Sequence, residues 1–221
     1  MRFFILHGSF GSPDDNWFPW LKAKLENFGH EVLAPRMPVE DEESFTAAVV
    51  TDPSTPATNQ NLTNWLKAFE PYLKQADSET VFIGHSLAPA FILHLLQKIN
   101  TPVKACFFVS PFLCLGAGGA YDAVNKSFVE TSVDWDKITS HCNAFYLFWG
   151  NNDPYVSRQD FETFQKALQA AATKRGIPVK VIIIPQGGHL NAEFGYREFQ
   201  LLLEKIEDVL PKRNSPSAVS R

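Results

Sequence analysis

A serine hydroxyl is a useful nucleophile only when a base takes its proton, and a histidine base works only when an acid fixes its tautomer and stabilises the imidazolium. The chain supplies these three residue types in turn-like segments: Ser86 in Gly84-His85-Ser86-Leu87-Ala88, Asp153 in Gly150-Asn151-Asn152-Asp153-Pro154, and His189 in Pro185-Gln186-Gly187-Gly188-His189. Each segment follows a short apolar run that reads as a strand. The order Ser, Asp, His, with steps of 67 and 36 residues, differs from the orders used by chymotrypsin-like and subtilisin-like chains. The chemistry such a set performs is acyl transfer through a covalent intermediate on Ser86.

Taken singly, each residue has a plain structural reading: Gly-x-Ser is common, Asp-Pro after a strand is an ordinary turn, and Gly-Gly-His is an ordinary loop. Their placement on three strand ends makes the functional reading the stronger one. The Ser86 segment has the strand, sharp turn, helix order of a nucleophile elbow, although the last glycine of the usual G-x-S-x-G is Ala88. An oxyanion needs two N–H donors. Leu87, which follows the serine, offers one; Ser9 or Phe10, in His7-Gly8-Ser9-Phe10-Gly11 after the first strand, offers the other. Trp17 and His85 are the expected substrate-binding residues, with Phe10 beside them, and His7 and His85 are candidates for local support. His94 shares a helical face with Leu87, Ala90 and Phe91 and reads as a packed core histidine. His30 and His141 fall away from strand ends, and Asp134, Asp136 and Asp160 fall in an excursion or on a helix.

The elements that position these loops follow from periodicity. Strands are expected at Arg2 to Leu6, Glu31 to Ala34, Thr80 to Gly84, Lys104 to Val109, Ala144 to Trp149 and Val179 to Ile184. Helical spacing marks about Asp15 to Phe28, about Asn59 to Ala76 with Pro71 kinking or dividing it, Ser86 to Ile99, a helix through Phe161 and Leu168, and a last one through Leu202 and Leu210. Pro89 suits the first turn of a helix starting at Ser86, where its missing N–H costs nothing. Asp41 to Thr58 reads as a loop with one helical turn, residues 111–142 as a small lid, and 211–221 as a disordered tail. Strands alternating with helices predict a single domain over 1–210. It is an α/β fold, three layers α/β/α around a mainly parallel six-stranded sheet, with ligands at the carboxyl ends of the strands.

Composition narrows the function. The 221 residues are 45% hydrophobic and 20% charged, with a net charge of −4 and no basic runs to neutralise successive phosphates, so nucleic acid is not an expected partner. No apolar run approaches the length of a membrane span and no signal peptide is read at Met1, so no membrane association is expected. Cys106, Cys114 and Cys142 lack C-x-x-C pairing and read as buried reduced thiols in a cytoplasmic protein. Gly8-Ser9-Phe10-Gly11 is neither a dinucleotide fingerprint nor a P-loop. The expected partner is a small-molecule substrate, with no cofactor and no metal; oligomeric state is open.

With these segments in view, the chain resembles the small α/β-hydrolase-fold serine hydrolases related to retinoblastoma-binding protein nine, including the bacterial YdeN-like proteins. The likeness spans nearly the whole chain and rests on Ile5-Leu6-His7-Gly8, Trp17-Phe18-Pro19-Trp20-Leu21, Met37-Pro38, Ile83-Gly84-His85-Ser86, Trp135-Asp136-Lys137-Ile138, Asn152-Asp153-Pro154 and Gly187-Gly188-His189. The Trp-x-x-Trp segment is its more family-specific part. The resemblance implies a compact α/β-hydrolase fold with a sheet shortened at its N-terminal edge, a small lid, and a Ser-Asp-His triad at Ser86, Asp153 and His189. The order of the triad residues and the two oxyanion loops, rather than the resemblance, point to hydrolysis of a small ester, thioester or amide; the alternatives are a binding or scaffold protein that keeps only the fold, to which Ala88 points, or an acyltransferase or lyase using the same site. Retinoblastoma binding is not implied, because no L-x-C-x-E motif occurs.

Overall fold

The structure is a computed structural model that describes residues 1–210; the tail expected at 211–221 lies outside the described residues. Six strands, β1 (Arg2–Leu6), β2 (Glu31–Leu33), β3 (Thr80–His85), β4 (Ala105–Val109), β5 (Phe145–Gly150) and β6 (Val179–Ile184), form one sheet in the order β2-β1-β3-β4-β5-β6. Every pairing is parallel. The order reverses between β1 and β3, and that switch point is where a doubly wound sheet opens a crevice for a ligand. The loops leaving it are the His7 loop and the Ser86 turn.

Continuous apolar strands bury both faces, and their side chains alternate between two cores. Phe3, Ile5, Val81, Ile83, Phe107 and Phe148 meet α1 (Phe18–Asn27) and α8 (Gln200–Glu207). Phe4, Leu6, Phe82, Phe108 and Leu147 face α3 (Leu62–Leu73), α4 (Ala88–Leu96), α6 (Trp135–Ser140) and α7 (Arg158–Lys174). The expected kink residue Pro71 lies inside α3 near its end. Helix α4 begins at Ala88 rather than Ser86, with Leu87 as N-cap and Pro89 in the first turn.

The segment read as a loop at 41–58 holds a ten-residue helix, α2 (Glu42–Thr51). Asp41 caps it by accepting the Ser44 N–H at 3.0 Å, Glu42 and Glu43 favour its first turn, and Phe45 and Val49, one turn apart, bury its inner face. That face packs on Ala120 and Val124 of α5 (Gly119–Glu130). Residues 111–142 therefore contain two helices, α5 and α6, and α5 joins α2 rather than standing alone.

Candidate active site

The loops at the carboxyl end of the sheet are strained in a shared way. The six non-glycine residues with positive φ among the described residues are Phe10, Asn16, Ser86, Ser110, Gln186 and Leu190. All lie in loops that follow β1, β3, β4 or β6. Backbone strain of this kind costs about 1–3 kcal/mol per residue and collects at functional sites.

At the elbow, Ser86 has φ 61°, and its N–H is held by the Val109 carbonyl at 2.9 Å. A Cβ on Gly84 would come 2.7 Å from Ile92 Cδ1 and 3.0 Å from Pro89 N, so the elbow requires glycine there. Ala88, by contrast, is fully buried in the core on the α4 side, which houses its methyl. Gly8 faces the serine: a Cβ on it would lie 2.7 Å from Ser86 Cβ. The β1 loop is thereby brought directly against the Ser86 turn.

Asp153 and His189 meet at the ends of β5 and β6, with His189 Nδ1 3.0 and 2.9 Å from the two Asp153 carboxylate oxygens. The Asp153 side chain is fully buried, and its Oδ1 also accepts the N–H groups of Tyr155 and Val156 at 2.9 and 3.0 Å. Asn151 and Asn152 tie the two loops together by accepting the Gln186 and Gly188 N–H groups. The His189 carbonyl accepts His85 Nε2–H at 2.9 Å and the Ser110 hydroxyl at 3.3 Å. Ser86, His85 and His189 line one cavity of about 440 Å³. The Ser86 hydroxyl makes no hydrogen bond among the described residues, to His189 or to any other group.

The remaining expected residues divide. The N–H groups of Leu87 and Ser9 donate to no protein acceptor among the described residues, whereas Phe10 N–H donates to Gln60 Oε1 at 2.9 Å. The Ser9 hydroxyl donates to Asn125 Oδ1 at 2.6 Å. Trp17 is corrected: it is fully buried and does not line the cavity, because the turn into α1 points its indole inward. Its Nε1–H donates to the Leu190 carbonyl at 3.0 Å, as a buried indole must find an acceptor, and Phe18 reaches the cavity instead. His7 supports the loop as expected of a local group: Nδ1–H donates to the Gly8 carbonyl and Nε2 accepts the Met37 N–H. His94 packs in α4 and donates to the Phe128 carbonyl. Cys114 is partly exposed on the cavity wall, unlike the buried Cys106 and Cys142. Ser110, Gln60 and Asn125 were not foreseen; only Ser110, directly after a strand, had a sequence signal.

Burial holds His85 neutral, with a pKa lowered to about 3, and the neighbouring His189 adds to that shift. Burial also lowers His7 and His94. In the unfolded chain these rings bind protons near pH 6.5, whereas in the folded chain they resist, so their contribution to stability is full above about pH 6.5 and is lost as pH falls below it, for His85 down to about 3. His85 alone contributes a slope of about 1.4 kcal/mol per pH unit over that window. His85→Gln, whose amide can donate to the same carbonyl, should remove about that slope in urea unfolding between pH 6 and 4.5. An unchanged slope would contradict a neutral buried His85.

Among the described residues no group of three His, Cys, Asp or Glu side chains is placed to hold a metal ion, and no helix is long and apolar enough to cross a membrane. The parallel sheet, the elbow serine and the acid and histidine loops at its carboxyl end define an α/β-hydrolase fold. The chain belongs to the serine hydrolase family, which matches residues 3–208. It is 22% identical over 212 residues to the YdeN protein of Bacillus subtilis (strain 168), covering 95% of this chain and 96% of that one. The crystal structure of the B. subtilis ydeN gene product superposes with a TM-score of 0.74 at 20% identity, covering 94% of this chain and 97% of the other. Est1E of Butyrivibrio proteoclasticus, solved with ferulic acid bound, superposes with a TM-score of 0.58 at 16% identity, covering 93% and 89%.

Proposed function

We propose that the protein hydrolyses small esters, thioesters or amides through an acyl-enzyme on Ser86, with His189 as base and Asp153 as its orienting acid. The observation that carries this reading is the bidentate contact of His189 Nδ1 with the buried Asp153 carboxylate in a cavity that also holds the strained Ser86. The carboxylate keeps the proton on Nδ1 and leaves Nε2 as the acceptor. Ser86 Oγ attacks the carbonyl carbon while its proton passes to Nε2. The tetrahedral intermediate then expels the alcohol, thiol or amine, which takes that proton. Water repeats the sequence on the acyl-enzyme, giving the acid and free Ser86.

The oxyanion is assigned to the N–H groups of Leu87 and Ser9. Neither donates to a protein acceptor among the described residues, and Gly8, the neighbour of Ser9, lies against Ser86. Phe10 was the alternative donor, and Gln60 occupies its N–H. Gln60 and Asn125 therefore act as positioning residues on either side of the Ser9 peptide. Losing one oxyanion donor costs about 3 kcal/mol of transition-state stabilisation.

A fluorophosphonate probe tests the assignment. It should label the protein at a single site, with the adduct on the peptide containing Ser86, and labelling should vanish in Ser86→Ala. Undiminished labelling of that variant, or a wild-type protein that stays unlabelled while folded, would overturn it.

A further inference from the structure

The cavity walls carry an uncompensated negative charge. Asp15, Glu42, Asp122, Asp160 and Glu193 line it against one cation, Arg197. None of the five is neutralised by an ion pair among the described residues; each accepts hydrogen bonds from neutral donors. Asp14, the one further carboxylate of the lining, is paired with Arg36.

Two of these acids are coupled to aromatic rings. Tyr121, on α5, donates its hydroxyl to Glu42 Oε1 at 2.9 Å, and Tyr155, after β5, donates to Glu193 Oε2 at 3.2 Å. The two rings stand 6.0 Å apart, Tyr155 is 5.0 Å from the His189 ring, and Phe10 packs edge-on to Tyr121 at 5.2 Å. Aromatic faces attract cations through the ring quadrupole, and a phenol that donates to a carboxylate has a more electron-rich ring. Asp15, Glu42 and Glu193 stand at the solvent-facing mouth and Asp122 and Asp160 are half-buried, and like charges gathered around one cleft raise the local concentration of the opposite charge, more so at low salt. Burial and these carboxylates push both tyrosine hydroxyls up, and Glu193 also acts on Tyr121 and Glu42 on Tyr155, so the two pairs share one field.

We propose that the substrates of this cavity carry a cationic ammonium group on a short arm beside the scissile carbonyl, seated at Tyr121 and Tyr155 with Glu42 and Glu193 as its counter-charges. The catalytic part of this proposal rests on the acyl-enzyme reading; the cation site itself does not. Because Tyr155 touches the His189 ring, the ammonium lies only a few bonds from the reacting carbon. An anionic acyl or leaving group in the same place would meet repulsion from five carboxylates.

The test uses a pair of isosteres: a choline ester and the 3,3-dimethylbutyl ester of the same short acid, which differ only in that a neutral carbon replaces the quaternary ammonium nitrogen. The choline ester should have kcat/KM at least about tenfold higher at low ionic strength, with the ratio falling as salt screens the cavity. Glu42→Gln/Glu193→Gln should bring the ratio close to one. Glu43→Gln/Glu70→Gln, which removes the same charge from exposed positions outside the cavity, should leave it in place. Choline titrated calorimetrically into Ser86→Ala should bind at least about tenfold tighter than 3,3-dimethylbutanol, a readout that needs no catalysis. Equal kcat/KM values, equal binding, or equal loss in the two double variants would overturn the cation site. Charge-selective binding to a wild-type protein that ignores fluorophosphonate would instead overturn the acyl-enzyme reading alone.

Discussion

Asp153→Asn should lower kcat for an activated ester by about 10⁴-fold, with KM little changed and the fold intact. The geometry makes the direction unambiguous. Asp153 Oδ1 is pinned by the N–H groups of Tyr155 and Val156, so an asparagine must place its carbonyl oxygen there. Its NH₂ then falls at the Oδ2 position, 2.9 Å from His189 Nδ1. That contact is satisfied only if Nδ1 accepts, which moves the ring proton to Nε2 and removes the base that the proposed mechanism requires. Steady-state kinetics with a p-nitrophenyl ester, together with the rate of fluorophosphonate labelling, measure the effect. A loss smaller than about tenfold would show that Asp153 does not set the tautomer.

How far the site could be read from residues alone depends on how local each feature is. Ser86, Asp153 and His189, which the structure brings to one end of the sheet, each sit in a short motif after an apolar strand, and a mainly parallel sheet follows from six such runs alternating with helical spacing. Helix α2 was not accessible in the same way. Its inner face consists of Phe45 and Val49 within a polar, proline-flanked stretch, and its signal was the Asp41 cap rather than hydrophobic period. Trp17 was misplaced because side-chain direction depends on where the helix begins: a start at Phe18 turns the indole onto the Leu190 carbonyl. The partners of the β1 loop are longer-range still. Gln60 and Asn125 reach Phe10 and Ser9 across 50 and 116 residues of sequence, and nothing in their neighbourhoods announces that contact. The same holds for Glu42 and Tyr121, joined only because α2 packs on α5.

Gly150→Ala should damage both stability and turnover, because the acid and histidine loops touch backbone to backbone at that residue. A Cβ there would lie 2.2 Å from the Gly188 carbonyl oxygen and 2.8 Å from Gly187 C and Gly188 N. No flexible side chain can yield, so the whole Gly187–His189 turn must retreat by roughly 1 Å to reach ordinary contact distance, and a shift of that size in a reacting group costs about 10²-fold in rate. The turn is also held by Asn152 on Gly188 N–H and by His85 on the His189 carbonyl, so retreat strains those bonds as well. Overpacking of this kind costs about 3 kcal/mol, a fall in Tm of about 6–12 °C for a domain of this size. Gly29→Ala separates the local effect from glycine loss in general. Gly29 ends α1 at φ 84° with nothing within 4 Å of the added atom, so its alanine should lose about 1 kcal/mol through backbone strain alone and keep full kcat. Thermal unfolding and kcat measured on both variants decide the matter: if Gly150→Ala keeps wild-type turnover, the position of the His189 turn relative to β5 does not govern the chemistry.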